Sequence, residues 1–372
     1  MTETFFIQSL DALAQGVSKS TQQRQITFIA KTLPGETVRA EVLVKRKQVR
    51  EAKVIAIDIP SDQRVDPACP HYQSCPSCHL LHTSYTHELE LKQQALQQQL
   101  DFLTQQRYFS SSEIDVIASP ERHQYRNRVQ LHYRHRYIGF IDRHLNRVIE
   151  VPQCKILRPE LQQAFDRLYQ EKSWLQQDSN NGHVELYWQD DAVQIEWNQA
   201  YAAGGFSQVN HAVNQHLVAS TYKILQQLGS ESLLDLFSGQ GNLSQQYVDH
   251  YPCQRVMVDI CASQQADYCQ LNLFDDDAFE RFSRRVGKIA IDTLLIDPPR
   301  AGFKQLTFWL KRLKPKHLIY ISCNPQSLAR DLKDLTTNGT KFKVEKIQLF
   351  DMFPGTYHFE TLVQLSFKRH AK

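Results

Sequence analysis

The chain has 372 residues, a formal net charge of +3 and a charged fraction of 22%. This length allows two or three domains with buried cores, and so mild a positive charge means that any nucleic-acid surface must come from local basic patches. The sequence has neither an 18-residue apolar run nor a secretory leader, which predicts a soluble, cytoplasmic protein. Its 8 cysteines do not suggest a disulfide scaffold in a chain this long, so clustered cysteines are expected to be metal ligands or catalysts.

Residues 1–60 alternate apolar and polar positions in short runs such as Gln25–Ala30. Turn signals at Gln15-Gly16 and Pro34-Gly35 separate these runs, and the pattern predicts a small antiparallel β-barrel. A basic run, Lys45–Arg50, would lie at a hairpin or strand edge of the barrel. Such a run is either a solvated face or part of an oligonucleotide-binding surface, and the sequence leaves both open.

Three cysteines, Cys69, Cys75 and Cys78, form a Cys-x5-Cys-x2-Cys group in which prolines restrict the loop. Three thiolates at this spacing can chelate one metal centre, and Cys154 is the candidate fourth ligand. From the chemistry of the residues alone, an iron–sulfur cluster and a zinc ion fit equally well, because three histidines also lie nearby.

An amphipathic helix is predicted over residues 86 to about 106, where apolar residues recur at helical spacing without a breaker.

After Pro120, the segment Tyr125–Phe140 has the pattern of strands in which arginine, histidine and tyrosine interleave. Arginines on one strand face could pair with RNA phosphates while the aromatic rings stack on bases, and a solvated sheet face is the alternative. We therefore expect a central α+β domain over residues 61–204.

From about residue 205, strands and helices alternate in the pattern of a doubly wound parallel sheet. Ser232–Asn242 is a strand that ends in a Gly-x-Gly turn, and the next strand ends at Asp259, whose carboxylate can hold ribose hydroxyls. The third glycine of the dinucleotide fingerprint is missing, so S-adenosylmethionine fits this turn better than a nicotinamide cofactor. The segment from Asp259 to Asp297 is short and leaves little room for the usual helix.

A thiol is predicted at the carboxyl end of a buried strand. The apolar run from Leu318 leads to Cys323, where Asn324-Pro325 breaks the strand, and another buried strand ends at Asp297. Ligands bind at the carboxyl ends of parallel strands, which makes Cys323 a candidate nucleophile. The alternative is that Cys323 only packs as a small buried side chain, as lone cysteines often do.

Several short motifs together resemble the RNA uracil-5-methyltransferases. They occur in that family's order and spacing: Gly205–Asn210, Asp235–Asn242, Asp297–Gly302, Ser322–Pro325 and Phe353–Glu360. The N-terminal barrel resembles the RNA-binding TRAM domain, and with the cysteine group the whole chain looks like the iron–sulfur-containing branch that acts on 23S rRNA. The resemblance implies a TRAM or OB-like barrel, a Rossmann-like methyltransferase domain over 205–372, and a [4Fe–4S] cluster, with zinc as the alternative, on Cys69, Cys75, Cys78 and Cys154.

The same resemblance implies roles for individual residues. Cys323 would add to carbon 6 of uracil, which activates carbon 5 for methylation, and Glu360 would then remove the proton from carbon 5. The residues implied to line the S-adenosylmethionine site are Gln208, Phe237, Asn242, Asp259, Asn272 and Asp297.

The expected product is 5-methyluridine in 23S rRNA, made by a monomer that binds neither DNA nor membranes. One alternative is the same chemistry on tRNA or on another rRNA uridine. The other is a non-catalytic RNA-binding or assembly factor built on a decayed methyltransferase fold.

Overall fold

The computed structural model describes residues 2–20, 25–105, 114–142, 146–200, 207–287 and 289–367. The chain divides into two compact units. The first unit comprises Met1–Ala95, Pro120–His211 and Phe353–Tyr357, and the second comprises Leu96–Ser119, Ala212–Met352 and His358–Lys372. The predicted domain boundary at residue 204 and the first two residues of the Gly205–Asn210 motif lie outside the described residues.

The first unit begins with a six-stranded sheet. Its strands are β1 (Thr2–Phe6), β2 (Ser9–Leu10), β3 (Gln15–Ser20), β4 (Gln25–Ala30), β5 (Thr37–Lys45) and β6 (Val49–Ile59), and they lie in the order β1-β5-β6-β4-β3-β2. Alternate residues bury a small core of Phe5, Ile7, Ile29, Val38, Ala40 and Ala52. The strands were predicted from this alternation, but the wholly antiparallel pairing was not correct, because β4 pairs with β6 in parallel.

The turn predicted at Gln15-Gly16 is wrong, because both residues lie in β3. The chain turns just before them, where the Asp11 carboxylate accepts hydrogen bonds from the backbone N–H groups of Leu13 (2.9 Å) and Gln15 (2.8 Å). Glycine is required at position 16 for space, since a Cβ there would lie 2.0 Å from Thr32 Oγ1. A glycine can lie within a strand because another residue approaches its backbone closely. In the sequence alone, such a glycine has the same pattern as a turn.

A long helix, α1 (Tyr85–Gln105), confirms the helix predicted from apolar spacing, and the short strand β7 (Asp115–Ile117) follows it. Leu96, Leu100 and Leu103 lie on one side of the helix and are buried in the core of the second unit. Spacings of three and four residues bring such side chains onto one helical face.

The first unit also contains a five-stranded sheet and one helix. The elements are β8 (Arg128–Arg134), β9 (Tyr137–Asp142), β10 (Arg147–Ile149), α2 (Pro159–Glu171), β11 (Asn181–Gln189) and β12 (Ala192–Trp197), with strand order β10-β9-β8-β11-β12. All of these neighbours pair antiparallel. Leu161, Phe165 and Leu168 of α2 share one core with the inner face of the sheet, which is the α+β arrangement that the sequence predicts.

The arginine face predicted on β8 does not form as a whole, because Arg128 is only 1% exposed. Its guanidinium donates to Glu185 Oε1 at 2.8 Å and lies 4.3 Å from the centre of the Tyr187 ring. A buried, paired cation cannot reach an RNA phosphate. Arg136 and Tyr137, at the turn between β8 and β9, are exposed.

The second unit contains an eight-stranded sheet flanked by helices. The remaining helices are α3 (His211–Leu228), α4 (Gln245–His250), α5 (Ala278–Val286), α6 (Leu306–Leu313) and α7 (Pro325–Thr337). The strands are β13 (Ser232–Leu236), β14 (Gln254–Asp259), β15 (Tyr268–Gln270), β16 (Thr293–Ile296), β17 (His317–Ser322), β18 (Phe342–Phe350) and β19 (Glu360–Phe367). The strand order is β15-β14-β13-β16-β17-β19-β18-β7.

This sheet is mixed, which corrects the expectation of a doubly wound parallel sheet. Strands β13 to β17 pair in parallel, whereas β19 runs antiparallel to both β17 and β18. The short connection from β18 to β19 contains no crossover helix, and adjacent strands joined in this way pair antiparallel. The short segment before Asp297 accommodates β15 and the nine-residue helix α5. Among the described helices, none has the length and apolar character needed to cross a lipid bilayer.

Candidate active site

The candidate catalytic groups lie where three neighbouring strands of the second unit end or begin. Asp297 follows β16, Cys323 follows β17, and Glu360 is the first residue of β19. Because β19 is antiparallel to β17, its first residue lies at the same edge of the sheet as the carboxyl end of β17. The predicted position of Cys323 and Asp297 at one sheet edge is confirmed, and Glu360 lies at that edge as well.

The strand register brings the thiol and the carboxyl group together. Ser322 pairs with Thr361 in the antiparallel ladder between β17 and β19. Cys323 follows Ser322 and Glu360 precedes Thr361, so both residues adjoin this last pair. The charge of Glu360 raises the pKa of the Cys323 thiol, which indicates that the two groups lie close together.

The Cys323 thiol is strongly perturbed. Its pKa is raised to about 12, first by burial and then by the charges of Glu360 and Asp297, whereas the Arg300 guanidinium lowers it. The thiol is therefore protonated at neutral pH in the free protein. A cysteine acts as a nucleophile as the thiolate, so the reaction needs a positive charge or a proton acceptor beside it.

Glu360 is the buried carboxyl of the site, with 4% of the residue exposed. Burial, and next the charge of Asp297, raise its pKa well above the usual range, and Arg300 lowers it. Its Oε2 has no hydrogen-bond partner among the described residues. Because buried polar atoms are rarely left unpaired in proteins, this oxygen is available to a bound ligand.

Two further carboxyl groups lie on neighbouring strands, with Asp235 buried in β13 and Asp297 half-buried just after β16. The pKa of Asp297 is raised to about 7 by burial and then by Asp259, and that of Asp235 is raised to about 7 chiefly by burial. Asp235 Oδ2 accepts a hydrogen bond of 2.6 Å from Ser244 Oγ, which lowers its pKa in part. These carboxyl groups make the strand edge a place where protons can be held near neutral pH.

The predicted cofactor turn follows β13. Phe237, Gly239 and Gly241 all have positive φ values, of 59°, 53° and 84°, which glycine adopts without strain. The Gly239 N–H donates to Asp259 Oδ2 at 2.9 Å, and the Cys261 N–H donates to Asp259 Oδ1 at 3.0 Å. Asp259, the last residue of β14, thus fixes the turn. A ribose hydroxyl that binds Asp259 would share the carboxylate oxygens with these two N–H groups.

Two predicted asparagines have local partners. Asn242 exchanges hydrogen bonds of 3.0 and 3.1 Å with Asn214 of α3. Asn272 Nδ2 donates to Asp275 Oδ1 at 2.6 Å, and its Oδ1 accepts from the Phe274 N–H at 3.1 Å. Asn272 therefore stabilises the turn that carries Phe274.

Phenylalanine rings line the cofactor turn. The Phe237 ring centre lies 5.6 Å from that of Phe274 and 5.2 Å from that of Phe303.

Five of the six predicted cofactor residues are in the second unit. Gln208 is in the first unit, where its carbonyl oxygen accepts from Asn127 Nδ2 at 2.9 Å.

Arg300 is a charged neighbour of the site that the sequence did not single out. It lowers the pKa of both Cys323 and Glu360, and its carbonyl oxygen accepts a hydrogen bond of 2.9 Å from Asn324 Nδ2. The signal was present in the sequence, because a basic residue follows Asp297-Pro-Pro at a strand end. A guanidinium at this position can stabilise a thiolate or an enolate oxygen.

The four candidate metal ligands all lie in the first unit. Cys69, Cys78 and Cys154 contact one apolar cluster that also holds Tyr72 and Tyr125. Burial raises the pKa of Cys78, and the charges of Cys154, Cys75 and Cys69 raise it further, so the thiols are close enough to interact. The donor set fits an iron–sulfur cluster in its chemistry. Within the described ranges, however, no group of three or more His, Cys, Asp or Glu side chains is arranged to hold a metal ion.

Comparisons with known proteins found a matching family model and several similar sequences. A family model described as tRNA (Uracil-5-)-methyltransferase matches residues 270–368. A relative from Shewanella frigidimarina (strain NCIMB 400), named 23S rRNA (uracil(1939)-C(5))-methyltransferase RlmD, is 29% identical over 96% of this chain and 94% of its own length. A relative of the same name from Shewanella sp. (strain ANA-3) is 27% identical over 97% of this chain and 94% of its own length.

One solved structure is similar to the whole chain. It is the Pyrococcus abyssi tRNA (uracil-54, C5)-methyltransferase in complex with S-adenosyl-L-homocysteine. The TM-score is 0.70 at 21% identity, and the match covers 98% of this chain and 100% of that chain. At this level of identity the likeness concerns the fold.

The mixed sheet of the second unit belongs to a chain with the fold of that methyltransferase structure. The matched region contains Asp297, Cys323 and Glu360, and the resemblance extends over nearly the full length of the relatives. The chain is similar to the RNA uracil-5-methyltransferases over nearly its full length, and these comparisons support an RNA methyltransferase.

Proposed function

We propose that the protein transfers a methyl group from S-adenosylmethionine to carbon 5 of a uridine in 23S rRNA and so forms 5-methyluridine. The observation that carries the proposal is that Cys323, Glu360 and Asp297 lie at one sheet edge, where Cys323 and Glu360 adjoin the Ser322–Thr361 pair. The names of the full-length relatives support 23S rRNA and its uracil 1939 as the target. The S-adenosyl-L-homocysteine in the Pyrococcus abyssi structure supports the choice of cofactor.

The first step activates the base. Carbon 5 of uracil is too weak a nucleophile to take a methyl group unaided. The Cys323 thiol gives up its proton to the Asp297 carboxylate, which leaves Glu360 ionised for the later step, and the thiolate bonds to carbon 6. The electron pair of the carbon 5–carbon 6 double bond moves towards the carbonyl oxygen, and the Arg300 guanidinium offsets the negative charge on the thiolate and the resulting enolate.

The second part of the reaction transfers the methyl group and restores the ring. S-adenosylmethionine supplies an electrophilic methyl group. Carbon 5 of the enolate attacks that methyl group and leaves S-adenosyl-L-homocysteine. Glu360, as the carboxylate, then removes the proton from carbon 5, and the electron pair re-forms the double bond and expels the Cys323 thiolate. The raised pKa of Glu360 makes its ionised form the stronger base.

The cofactor site proposed in the second unit consists of residues at the carboxyl ends of β13, β14 and β16 and in the loop after β15: Phe237, Asn242, Asp259, Asn272 and Asp297. The fixed turn at Gly239 and Gly241 supports this assignment, because ligands of open α/β sheets bind at such strand ends. Gln208 is proposed from its motif alone.

We further propose that Cys69, Cys75, Cys78 and Cys154 hold a [4Fe–4S] cluster, with zinc as the alternative. The gathering of these thiols in one part of the first unit supports the proposal. Methyl transfer needs no electron, so the cluster would act structurally, by tying the loop of the first three cysteines to Cys154.

We propose that the first unit binds the RNA. Residues 1–60 would form a TRAM-like module and residues 61–204 a central domain. Lys45, Arg46 and Lys47 are exposed at the hairpin between β5 and β6 and supply local positive charge. The proposed protein acts in the cytoplasm as a monomer, on RNA and not on DNA. RNA bases must leave their stack to meet a catalytic thiol, so a loop or a remodelled helix is the expected substrate.

The test is transfer of labelled methyl from S-adenosylmethionine by anaerobically purified protein. Unmodified 23S rRNA, unmodified tRNA and the Cys323→Ala variant are compared. Label in 5-methyluridine of 23S rRNA that is lost in the variant is the expected result. Label in tRNA alone would keep the chemistry and replace the substrate, and no label in either RNA would favour a non-catalytic RNA-binding factor.

A further inference from the structure

A buried carboxylate that the proposed reaction does not use lies beneath the strand edge. Asp331 of α7 is 3% exposed. Its Oδ2 accepts hydrogen bonds from the Phe303 N–H at 2.7 Å and from Tyr320 Oη at 2.6 Å. Its Oδ1 accepts from Arg330 Nε at 2.9 Å and Nη2 at 2.5 Å.

These bonds join three elements that carry or flank the candidate catalytic groups. Phe303 lies in the loop that runs from Asp297 to the start of α6, and Tyr320 lies three residues before Cys323 on β17. Arg330 Nη2 also donates to the carbonyl oxygen of Ala301 at 2.7 Å. One carboxylate, with its arginine neighbour, therefore fastens both ends of residues 301–303 to β17 and α7.

The loop has little freedom to move away from this contact. Gly302 has a φ of +71°, and a Cβ there would lie 2.5 Å from Asp331 Oδ2 and 2.6 Å from Arg330 Nη2. Asn324 provides a second tie, because its Nδ2 donates to the carbonyl oxygen of Arg300 at 2.9 Å while its Oδ1 accepts from the Gln326 N–H at 3.1 Å. The first residue after Cys323 is thus bonded to the loop as well.

Tyr320 strengthens the arrangement through its protonation state. Burial, and next the charge of Asp331, raise the pKa of the Tyr320 hydroxyl, which therefore remains a hydrogen-bond donor throughout the physiological range. Hydrogen bonds to an ionised acceptor are stronger than those between neutral groups. The contact is dry and charge-assisted, which favours one loop position over others.

We propose that Asp331 is a positioning residue for methyl transfer, whose carboxylate fixes the loop of Asp297 against the strand that carries Cys323. This inference rests on the proposed function. Asp331 touches neither substrate nor cofactor in this account and acts by setting the separation between the loop carboxyl and the thiol. A displacement of about 1 Å at a reacting centre can cost roughly 100-fold in rate, so loss of the carboxylate should be visible in kcat.

The experiment compares Asp331→Asn, Tyr320→Phe and the wild-type full-length protein in steady-state methyl transfer to unmodified 23S rRNA. An asparagine offers one acceptor oxygen. It can therefore accept either from Phe303 and Tyr320 or from Arg330, and it loses the hydrogen bonds of the other set. We expect kcat to fall by roughly 10- to 100-fold in Asp331→Asn and by less in Tyr320→Phe, while KM for the RNA stays within about 3-fold of the wild type, since the RNA surface is unchanged.

The matched control is Asp292→Asn. Asp292 Oδ2 accepts from the backbone N–H groups of Glu231 (2.9 Å) and Ser232 (3.3 Å) at the amino end of β16, away from the candidate site. A similar fall in melting temperature in both aspartate variants, with loss of kcat confined to Asp331→Asn, would support the positioning role. An equal loss of kcat in both would overturn it.

Three other outcomes are also decisive. If Asp331→Asn does not fold, unchanged kcat in a folded Tyr320→Phe variant overturns the proposal, and a reduced kcat with unchanged KM supports it. If wild-type protein transfers no methyl group to 23S rRNA or tRNA, the proposed function itself fails and the inference fails with it. Wild-type activity together with full activity of Asp331→Asn removes the positioning role alone.

Discussion

Cys323 and Glu360 adjoin Ser322 and Thr361, the last registered pair of β17 and β19, and the charge of Glu360 raises the pKa of the Cys323 thiol. Uracil presents carbon 6 and carbon 5 as neighbouring ring atoms, and the proposed reaction needs a nucleophile at the first and a base at the second. A thiol and a carboxyl group at one sheet edge suit that task. The antiparallel strand β19 therefore brings the base to the nucleophile.

Removal of the base should trap the reaction after methyl transfer. In Glu360→Gln, carbon 5 keeps its proton. The Cys323 thiolate therefore cannot be eliminated, and its bond to carbon 6 remains. We expect turnover to fall by roughly 100- to 10,000-fold, with a methylated protein–RNA complex that survives denaturing electrophoresis. Turnover within a few-fold of the wild type would contradict the assignment of Glu360, and Cys323→Ala is the control that should form no complex.

The reactivity of Cys323 should depend on Arg300. The guanidinium lowers the thiol pKa, which burial and the carboxyl groups raise to about 12. In Arg300→Gln, the pH at which Cys323 becomes alkylated by iodoacetamide should move upward, as measured by mass spectrometry of the Cys323 peptide. Cys261 is the internal reference, because burial and Asp259 set its pKa. An unchanged profile would show that Arg300 does not act on the thiol.

Asp235 should make the protein less stable as pH rises. Its folded pKa is about 7, raised from 3.8, so between those values the folded state holds a proton that the unfolded chain releases. Each such group lowers the unfolding free energy by about 1.4 kcal/mol per pH unit over that window. Asp235→Asn should give a shallower decline of melting temperature from pH 5 to 7. A decline as steep as in the wild type would contradict the raised pKa.

Loss of one cluster ligand should release the metal. Anaerobically purified wild-type protein should contain iron and sulfide in equal amounts, and Cys75→Ser should lose both together with thermal stability of the first unit, because metal binding is coupled to folding. Cys261→Ser, a change at an exposed cysteine outside the proposed ligand set, should keep them. Zinc in place of iron would correct the identity of the metal, and metal retained in Cys75→Ser would remove Cys75 from the ligand set.

Local patterns predicted the elements that depend on neighbouring residues. Leucine spacing predicted α1, and the buried run before Asn324-Pro325 predicted that Cys323 would follow a strand. Cys323 and Asp297 were expected at one edge because parallel strands end together. The place of Glu360 at that edge needed the direction of β19, which an apolar pattern does not contain.

Features that depend on distant partners were not predictable in the same way. Arg128 has the sequence pattern of an exposed strand residue, and only the register between β8 and β11 brings it to Glu185. Gly16 has the signature of a turn until the position of Thr32 is known. Asp331 lies on an ordinary amphipathic helix, and its role as an acceptor for Phe303 depends on the path of the loop after β16.

The most direct test of the account is covalent trapping with 23S rRNA that contains 5-fluorouridine. Carbon 5 of that base carries no removable proton after methyl transfer, so the enzyme cannot release it. With labelled S-adenosylmethionine, we predict a stable complex in which the RNA is bonded to the Cys323 peptide and carries the label. Absence of this complex in active wild-type protein, or its formation in Cys323→Ala, would contradict the assignment of Cys323 as the nucleophile.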